Sequence, residues 1–316
     1  MRVLFAGSPA IAVPALEALA ALGGECTVAG LLTCPDSPKG RSGRPGPTDC
    51  AEAFRRLFPA SVPALKPEKL DGAAREQAAA LKPDLLVSFA YGKIFGPKFL
   101  ALFPMGGINI HPSLLPKYRG PSPIPAVIMN REKETGITIQ RLAEETDSGD
   151  ILFQEKAPLG GRETAGGLSR TMAEWAAALL PSAIRGIAAG TLSPRPQVRG
   201  EATYCSLISK SDGLIGWGMG AAEIDARIRA FDPWPLSWTL HGGLELFILK
   251  AEARENVNGA RAQAGRVLGK DNDAGILIQT GEGALAVQRL QYRGKKALEW
   301  KDFLNGARNF IGARLG

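Results

Sequence analysis

Over its first half this chain alternates short apolar runs with segments of helical period, and few folds accommodate that alternation. Val3–Ala6 is one such run; Gly7-Ser8-Pro9 breaks it, and Ile11, Val13, Leu16, Leu19 and Leu22 then recur at roughly helical spacing. The pattern predicts a strand, a tight turn and a helix. Cys26–Thr33 and Asp84–Phe89 read as further buried strands, Gly107–Ile110 and Gly136–Leu142 as two more, and Asp49–Phe58 and Ala73–Leu81 as helices. Strands separated by helices predict an α/β fold: a Rossmann-like, mainly parallel sheet with helices on both faces. Gly161–Gly190 holds a long amphipathic helix with Gly190 as its stop.

The texture then changes. Residues 191–203 carry two prolines among Arg and Ser with no apolar period, and are expected to be a linker. Beyond them Ala221–Phe231 reads as a helix. Ser237–Leu240, Leu244–Leu249, Arg266–Leu268, Gly275–Gln279 and Ala284–Leu290 read as short strands joined by Gly-containing turns. Closely spaced short strands predict a small C-terminal β-barrel, OB-like in type. The expected organisation is an N-terminal domain over 1–190, a linker over 191–203 and a barrel over 204–316.

Composition excludes several classes. No segment approaches the ~20 apolar residues of a membrane span, and the apolar run at the N-terminus is too short for a signal peptide. A cytoplasmic protein with no membrane association is expected. Cys26, Cys34, Cys50 and Cys205 form no C-x-x-C pair, and His111 and His241 are the only histidines. Reduced thiols and no metal site are therefore expected. The net charge of +7 is shared, with 15 basic and 12 acidic residues over 204–316 and 23 and 19 over the rest. Charge alone thus identifies no partner. The first turn has one glycine, not the three of a dinucleotide fingerprint, and residues 39–46 lack the G-K-[ST] of a phosphate loop.

The densest chemistry lies in Gly106–Gly120, GGINIHPSLLPKYRG. Asn109 and His111 are two apart on a strand, so both side chains point to one face. In an open parallel sheet, ligands bind beyond the carboxyl ends of the strands. Asp147, in EETDSGD, follows the strand Gly136–Leu142 and so also lies at a strand's carboxyl end.

Asn109-Ile110-His111, then Ser113-Leu114-Leu115-Pro116 and Arg119-Gly120, resembles the signature of the folate-dependent formyltransferases, and Asp147-Ser148-Gly149-Asp150-Ile151 resembles their downstream acid motif. The resemblance implies transfer of a formyl group from 10-formyltetrahydrofolate as co-substrate to an amine, with Asn109, His111 and Asp147 catalytic. The implied folate contacts are Ser113, Leu114, Leu115 and Pro116, and the loop of Phe89, Ala90, Tyr91 and Gly92. Donors placed where charge develops on the formyl oxygen would supply the main stabilisation, from Asn109 and a protonated His111. Asp147 would orient His111 and help deprotonate the amine.

Relatives with this core differ in their acceptor. A purine-precursor enzyme would end near residue 200, whereas this chain runs to 316. Arg229–Pro235 with Ser237-Trp238, Thr203-Tyr204 and Gly294-Lys295-Lys296 resemble the C-terminal domain of those members that formylate methionyl initiator tRNA. Phe231, Trp234 and Trp238 are expected to form an aromatic core there. The insert Pro35–Pro47 is expected as a flexible basic loop reaching RNA through Lys39, Arg41 and Arg44. A second basic cluster, Arg289, Arg293, Lys295, Lys296 and Lys301, would give the barrel an RNA-facing surface, with Arg293, Lys295 and Lys296 as contacts. The implied partners are methionyl initiator tRNA and folate, with the protein a monomer. The alternative acceptor is an amino-sugar nucleotide.

Overall fold

The computed structural model describes residues 1–39, 43–254, 262–307 and 309–316. They form two compact units, one of Met1–Pro123, Glu134–Pro158 and Ser169–Ser206, the other of Ile124–Lys133, Leu159–Leu168 and Leu207–Gly316.

In chain order the first half runs β1 (Arg2–Gly7), α1 (Val13–Ala21), β2 (Thr27–Leu32), β3 (Ser37–Lys39), β4 (Arg44–Gly46), α2 (Asp49–Leu57), β5 (Ala64–Leu65) and α3 (Gly72–Ala80). It continues through β6 (Leu85–Phe89), α4 (Pro97–Leu100), β7 (Gly107–His111), α5 (Pro123–Met129), β8 (Glu134–Arg141), β9 (Ile151–Pro158) and α6 (Ala165–Ala189). Alternation sets the faces of the sheet. Leu4, Ala6 and Leu86 pack with Ala78 of α3, Phe99 of α4 and the rings of Tyr91, Phe95 and Phe103. Val3 and Phe5, also fully buried, point the other way. Thr48 and Asp71 cap α2 and α3 by accepting from the amides of Ala51 and Ala74.

The sheet order is β5-β2-β1-β6-β7-β8-β9. From β5 to β7 every pairing is parallel, so the winding reverses between β1 and β6, where such sheets bind ligands. The mainly parallel sheet is as expected. Its far edge is not parallel: β8 and β9 are antiparallel, with Asn109 opposite Gln140 and His111 opposite Thr138. The strand β9 had no reading in the sequence, because LFQEK lacks a strong apolar alternation.

The insert expected as a flexible loop contains a short hairpin, with Lys39 in register with Arg44. Arg41 lies outside the described residues.

In the second unit α7 (Ala221–Ala230) precedes β10 (Ser237–His241), β11 (Leu244–Arg254), β12 (Val267–Asp271), β13 (Gly275–Gln279), β14 (Ala284–Tyr292), β15 (Leu298–Glu299) and α8 (Trp300–Gly306). The order β10-β11-β14-β13-β12 is antiparallel throughout. The C-terminal residues span its two edges. Val267 N donates to Ala313 O at 2.9 Å and Leu315 N to Gly265 O at 2.9 Å, while Gly316 N donates to Leu240 O at 3.0 Å. Those bonds cover edges that would otherwise be open, which gives the sheet the barrel character expected.

The core of this unit includes Ile215, Ile224, Leu246, Ile276, Leu285, Phe303, Phe310 and Leu315. Trp217 lies in it, and its indole N–H donates to Thr239 Oγ1 at 3.0 Å. The expected aromatic core needs correction. Phe231 is buried and Trp238 half-buried, but Trp234 is 53% exposed. Trp234 stands between Pro233 and Pro235, in a turn leading from α7 to β10, and that turn holds it outward.

If the C-terminal seam is integral to this unit, Leu315→Ala should destabilise it by about 3 kcal/mol. Denaturant titration followed by Trp fluorescence would measure this, and a loss well under 1 kcal/mol would show that the seam is dispensable.

Candidate active site

The site grows from β7 and β8. Gly136, Thr138 and Gln140 alternate with Ile137 and Ile139, so β8 carries a small and polar face as well as an apolar one. The polar face is nonetheless buried: Thr138 is fully covered and Gln140 is 1% exposed. Buried amides and hydroxyls need partners. Thr138 Oγ1 donates to Ser113 O at 2.7 Å, and Gln154 Nε2 donates to Leu115 O at 2.8 Å. These bonds fix the loop that follows His111. Within it Ser113 is buried, its hydroxyl donating to Lys117 O at 2.8 Å, and Leu115 is buried while Leu114 and Pro116 are half-buried.

Asn109, His111 and Asp147 come together. Asn109 Nδ2 donates to Asp147 Oδ1 at 3.3 Å, and His111 Nδ1 lies 3.6 Å from Asp147 Oδ2. His111 Nε2 is 2.8 Å from Tyr118 O and must carry a proton there, because a carbonyl only accepts. Two further donors reach the carboxylate: Gln140 Nε2 to Oδ1 and Gly120 N to Oδ2, each at 2.8 Å. Its side chain is 12% exposed.

Asp147 follows β8 and lies at its carboxyl end, as expected, but that end is not on the side of the carboxyl ends of the parallel strands. Because β8 is antiparallel, its carboxyl end lies beside the start of β7: Arg141 pairs with Ile108, and Leu142 N donates to Gly107 O. Asp147 reaches Asn109 and His111 because the loop after β8 doubles back along the sheet. Gly149 permits the tight return, since a Cβ there would lie 1.9 Å from Arg141 O. Asp147 itself has φ +52°.

The segment 191–203, expected as a linker, supplies side chains to this site. Gln197 Nε2 donates to Asp147 O at 2.9 Å and Gly149 O at 2.7 Å, and lies 3.2 Å from Gln140 Oε1. Its own Oε1 accepts from Arg119 Nε and Nη2 at 3.2 and 2.9 Å. Arg119, 3% exposed, also donates to Tyr204 Oη at 3.3 Å and lies 3.6 Å from Glu145. Arg119 N donates to Thr203 O at 2.9 Å, and Cys205 N to Arg119 O at 2.8 Å, so residues 203–205 run alongside 118–120. Burial pushes the Cys205 thiol up, in keeping with its sulfur donating to Arg119 O at 3.3 Å.

Sequence reasoning missed Gln140 and Gln197. The alternation ITIQ, a polar face on a strand beside Asn109 and His111, was the available signal for Gln140. For Gln197 there was none, since a Pro-rich stretch without period gives no register.

Of the other expected residues, Phe89 and Tyr91 are buried, and Tyr91 stacks on Phe95 with ring centroids 5.4 Å apart. Ala90, with φ +51°, and Gly92, with φ +87°, are exposed at the end of β6. Tyr91 turns its ring into the core, and its carbonyl accepts from Cys34 Sγ at 3.2 Å and Ser8 Oγ at 3.4 Å. Arg293 pairs with Glu245 at 2.9 Å and Arg289 with Glu299 at 3.7 Å. Lys295 and Lys296 are exposed in the turn after β14. Among the described residues no group of three His, Cys, Asp or Glu could hold a metal, and no helix is long and apolar enough to cross a membrane.

An α/β unit with an Asn–His–Asp cluster on its sheet, in a chain that also carries an antiparallel barrel, defines a class whose sequence relatives are clear. The chain belongs to the formyl transferase family, matching formyl transferase over residues 1–184 and the formyl transferase C-terminal domain over 207–308. It is 47% identical over 319 residues to methionyl-tRNA formyltransferase of Treponema denticola, covering 98% of each chain. It is 43% identical to methionyl-tRNA formyltransferase of Treponema pallidum (strain Nichols), covering 100% of this chain and 99% of that one. Among solved structures it shares the fold of an N-formyltransferase from Helicobacter canadensis in complex with folinic acid and dTDP-3-aminofucose. There the identity is 20%, the TM-score 0.65, and the coverage 90% of this chain and 98% of that one.

Gly120, with φ +113° and its Cβ position 2.4 Å from Cys205 O, cannot take a side chain without moving its amide from Asp147. Gly120→Ala is expected to cost about 2 kcal/mol of stability or more. The rate of single-turnover transfer should fall roughly tenfold or more with the lost donor. Wild-type melting and rate in this variant would show that the loop tolerates a side chain.

Proposed function

We propose that this chain transfers the formyl group of 10-formyltetrahydrofolate to the amino group of methionyl initiator tRNA, and that Asn109, His111 and Asp147 carry the chemistry. The observation that carries the reading is the convergence of those three side chains, in a chain related over nearly its whole length to methionyl-tRNA formyltransferases. The amino-sugar alternative draws less support, since the N-formyltransferase whose structure holds an aminofucose nucleotide is only 20% identical.

The folate co-substrate supplies an activated one-carbon group. Ala90, Gly92 and the loop Ser113–Pro116 are the proposed walls of its crevice, with Phe89 and Tyr91 shaping it from behind. The acceptor amine attacks the formyl carbon as a free base, and Asp147, directly or through water, takes the proton it releases. The tetrahedral adduct then collapses: the bond from the formyl carbon to the folate nitrogen breaks, and that nitrogen leaves as an amine carrying the proton Asp147 received. One amide proton of Asn109 goes to Asp147; the second is available to the formyl oxygen as charge develops there. His111 is held at Nε2 by Tyr118 O, so in this geometry it acts on that oxygen through its charge when doubly protonated.

The tRNA would be held by Lys39, Arg41 and Arg44 of the insert and by Arg293, Lys295 and Lys296 of the barrel. Arg293 is the weakest candidate, being engaged by Glu245. In this reading residues 1–190 carry the chemistry and residues 204–316 bind RNA, in a monomeric cytoplasmic enzyme.

Alanine at Asn109, His111 or Asp147 should lower kcat/KM for formyl transfer by about 10²-fold to 10⁴-fold. Transfer of labelled formyl to methionyl initiator tRNA, with an amino-sugar nucleotide in parallel, is the direct assay. Near-normal rates in Asn109→Ala and Asp147→Ala would refute the roles, and label on the sugar alone would refute the acceptor. Affinity for tRNA should fall linearly with salt on logarithmic axes. Lys295→Ala/Lys296→Ala should lower that slope by about 1.5 if both residues meet phosphates. A salt-independent affinity would rule out the proposed basic contacts.

A further inference from the structure

We propose that Gln140 and Gln197 are positioning residues for Asp147, forming a directed relay of side-chain amides that starts at the buried Arg119. The proposal deepens the functional reading above and rests on it for its rate predictions.

The direction of the relay is fixed at one end. A guanidinium only donates, so Arg119 Nε and Nη2 require the oxygen of Gln197 to face them. The amide nitrogen of Gln197 must then point the opposite way, toward Asp147 O, Gly149 O and Gln140 Oε1. With its oxygen held in that direction, Gln140 presents its nitrogen to Asp147 Oδ1 at 2.8 Å. Each amide has two orientations of similar shape, and Arg119 selects one of them in sequence. Reversing either amide would set oxygen against oxygen at a buried contact, which burial makes costly.

The relay also answers a mechanical need. The Asp147 loop doubles back from the far end of β8 and gains little from the sheet ladder over that distance. Gln197 ties its backbone at two carbonyls, and Gln140 ties the carboxylate. Together they set which oxygen meets Asn109 and which meets His111.

Three full-length variants test this. Gln140→Met keeps the volume and loses the donor. Gln197→Glu keeps the acceptor for Arg119 and loses the donor to the loop. The third variant combines both. Each single change should lower kcat about tenfold, the rate equivalent of one hydrogen bond to a charged group. KM for tRNA and for folate should stay near wild type. The double variant should lose little more than the worse single one, because the residues act in series. Losses that multiply, or that fall on KM, would overturn the relay, as would a fall in kcat matched by an equal fall in folded protein. A crystal structure of Gln197→Glu tests it without any assay: the Gln140–Asp147 contact is expected to break, and its persistence would overturn the relay. A wild-type chain inert toward methionyl-tRNA would instead refute the functional reading, leaving that structural test intact.

Discussion

Removing a carboxylate from water costs several kcal/mol unless its lone pairs are met by donors. Asp147 is largely withdrawn from solvent, and much of the surrounding unit can be understood as meeting that requirement. The groups that meet it come from three places: β7 gives the amide of Asn109 and sets His111 beside it, β8 gives Gln140, and the loop after β7 gives the backbone N–H of Gly120. None is adjacent in sequence to Asp147. The sheet must hold β7 and β8 in one register for the donors to converge, and the long polar loops must be pinned for the acid to reach them.

The change from parallel to antiparallel pairing at β7 makes this possible. Asn109 and His111 face Gln140 and Thr138 across a single ladder, so one strand carries the Asn–His pair and its neighbour the polar side chains opposite it. A parallel β8 would bring different positions opposite β7. The antiparallel arrangement leaves the following loop at the wrong end of β7. The return of that loop is what Gly149 and Gln197 secure.

How far the sequence revealed this depended on the kind of signal. Val3–Ala6 and DLLVSF are apolar runs bounded by turns, and they became the central strands β1 and β6. The pair at Asn109 and His111 was legible because strand period two is rigid. Asp147 was placed by a motif, but its path was not, since strand direction leaves no mark on hydrophobic periodicity. The segment 191–203 looked featureless for a related reason. Its side chains bond to distant residues such as Asp147 and Arg119, and such pairings impose no local pattern. Trp234 was misplaced because composition says that an aromatic tends to be buried, while the prolines on either side decide whether it can be.

The chemistry of the supports has its own logic. A Lys or Arg set directly against Asp147 would meet its lone pairs more strongly, but would also neutralise the carboxylate beside His111. Gln140 and Asn109 donate without adding charge. The positive charge of Arg119 is instead held at the far side of Gln197 and faces Glu145 and Tyr204. Orientation is thereby passed through two neutral amides while the charge stays behind. The side chains that donate hydrogen bonds to Asp147 are thus neutral amides, and Arg119 is joined to its loop through Gln197.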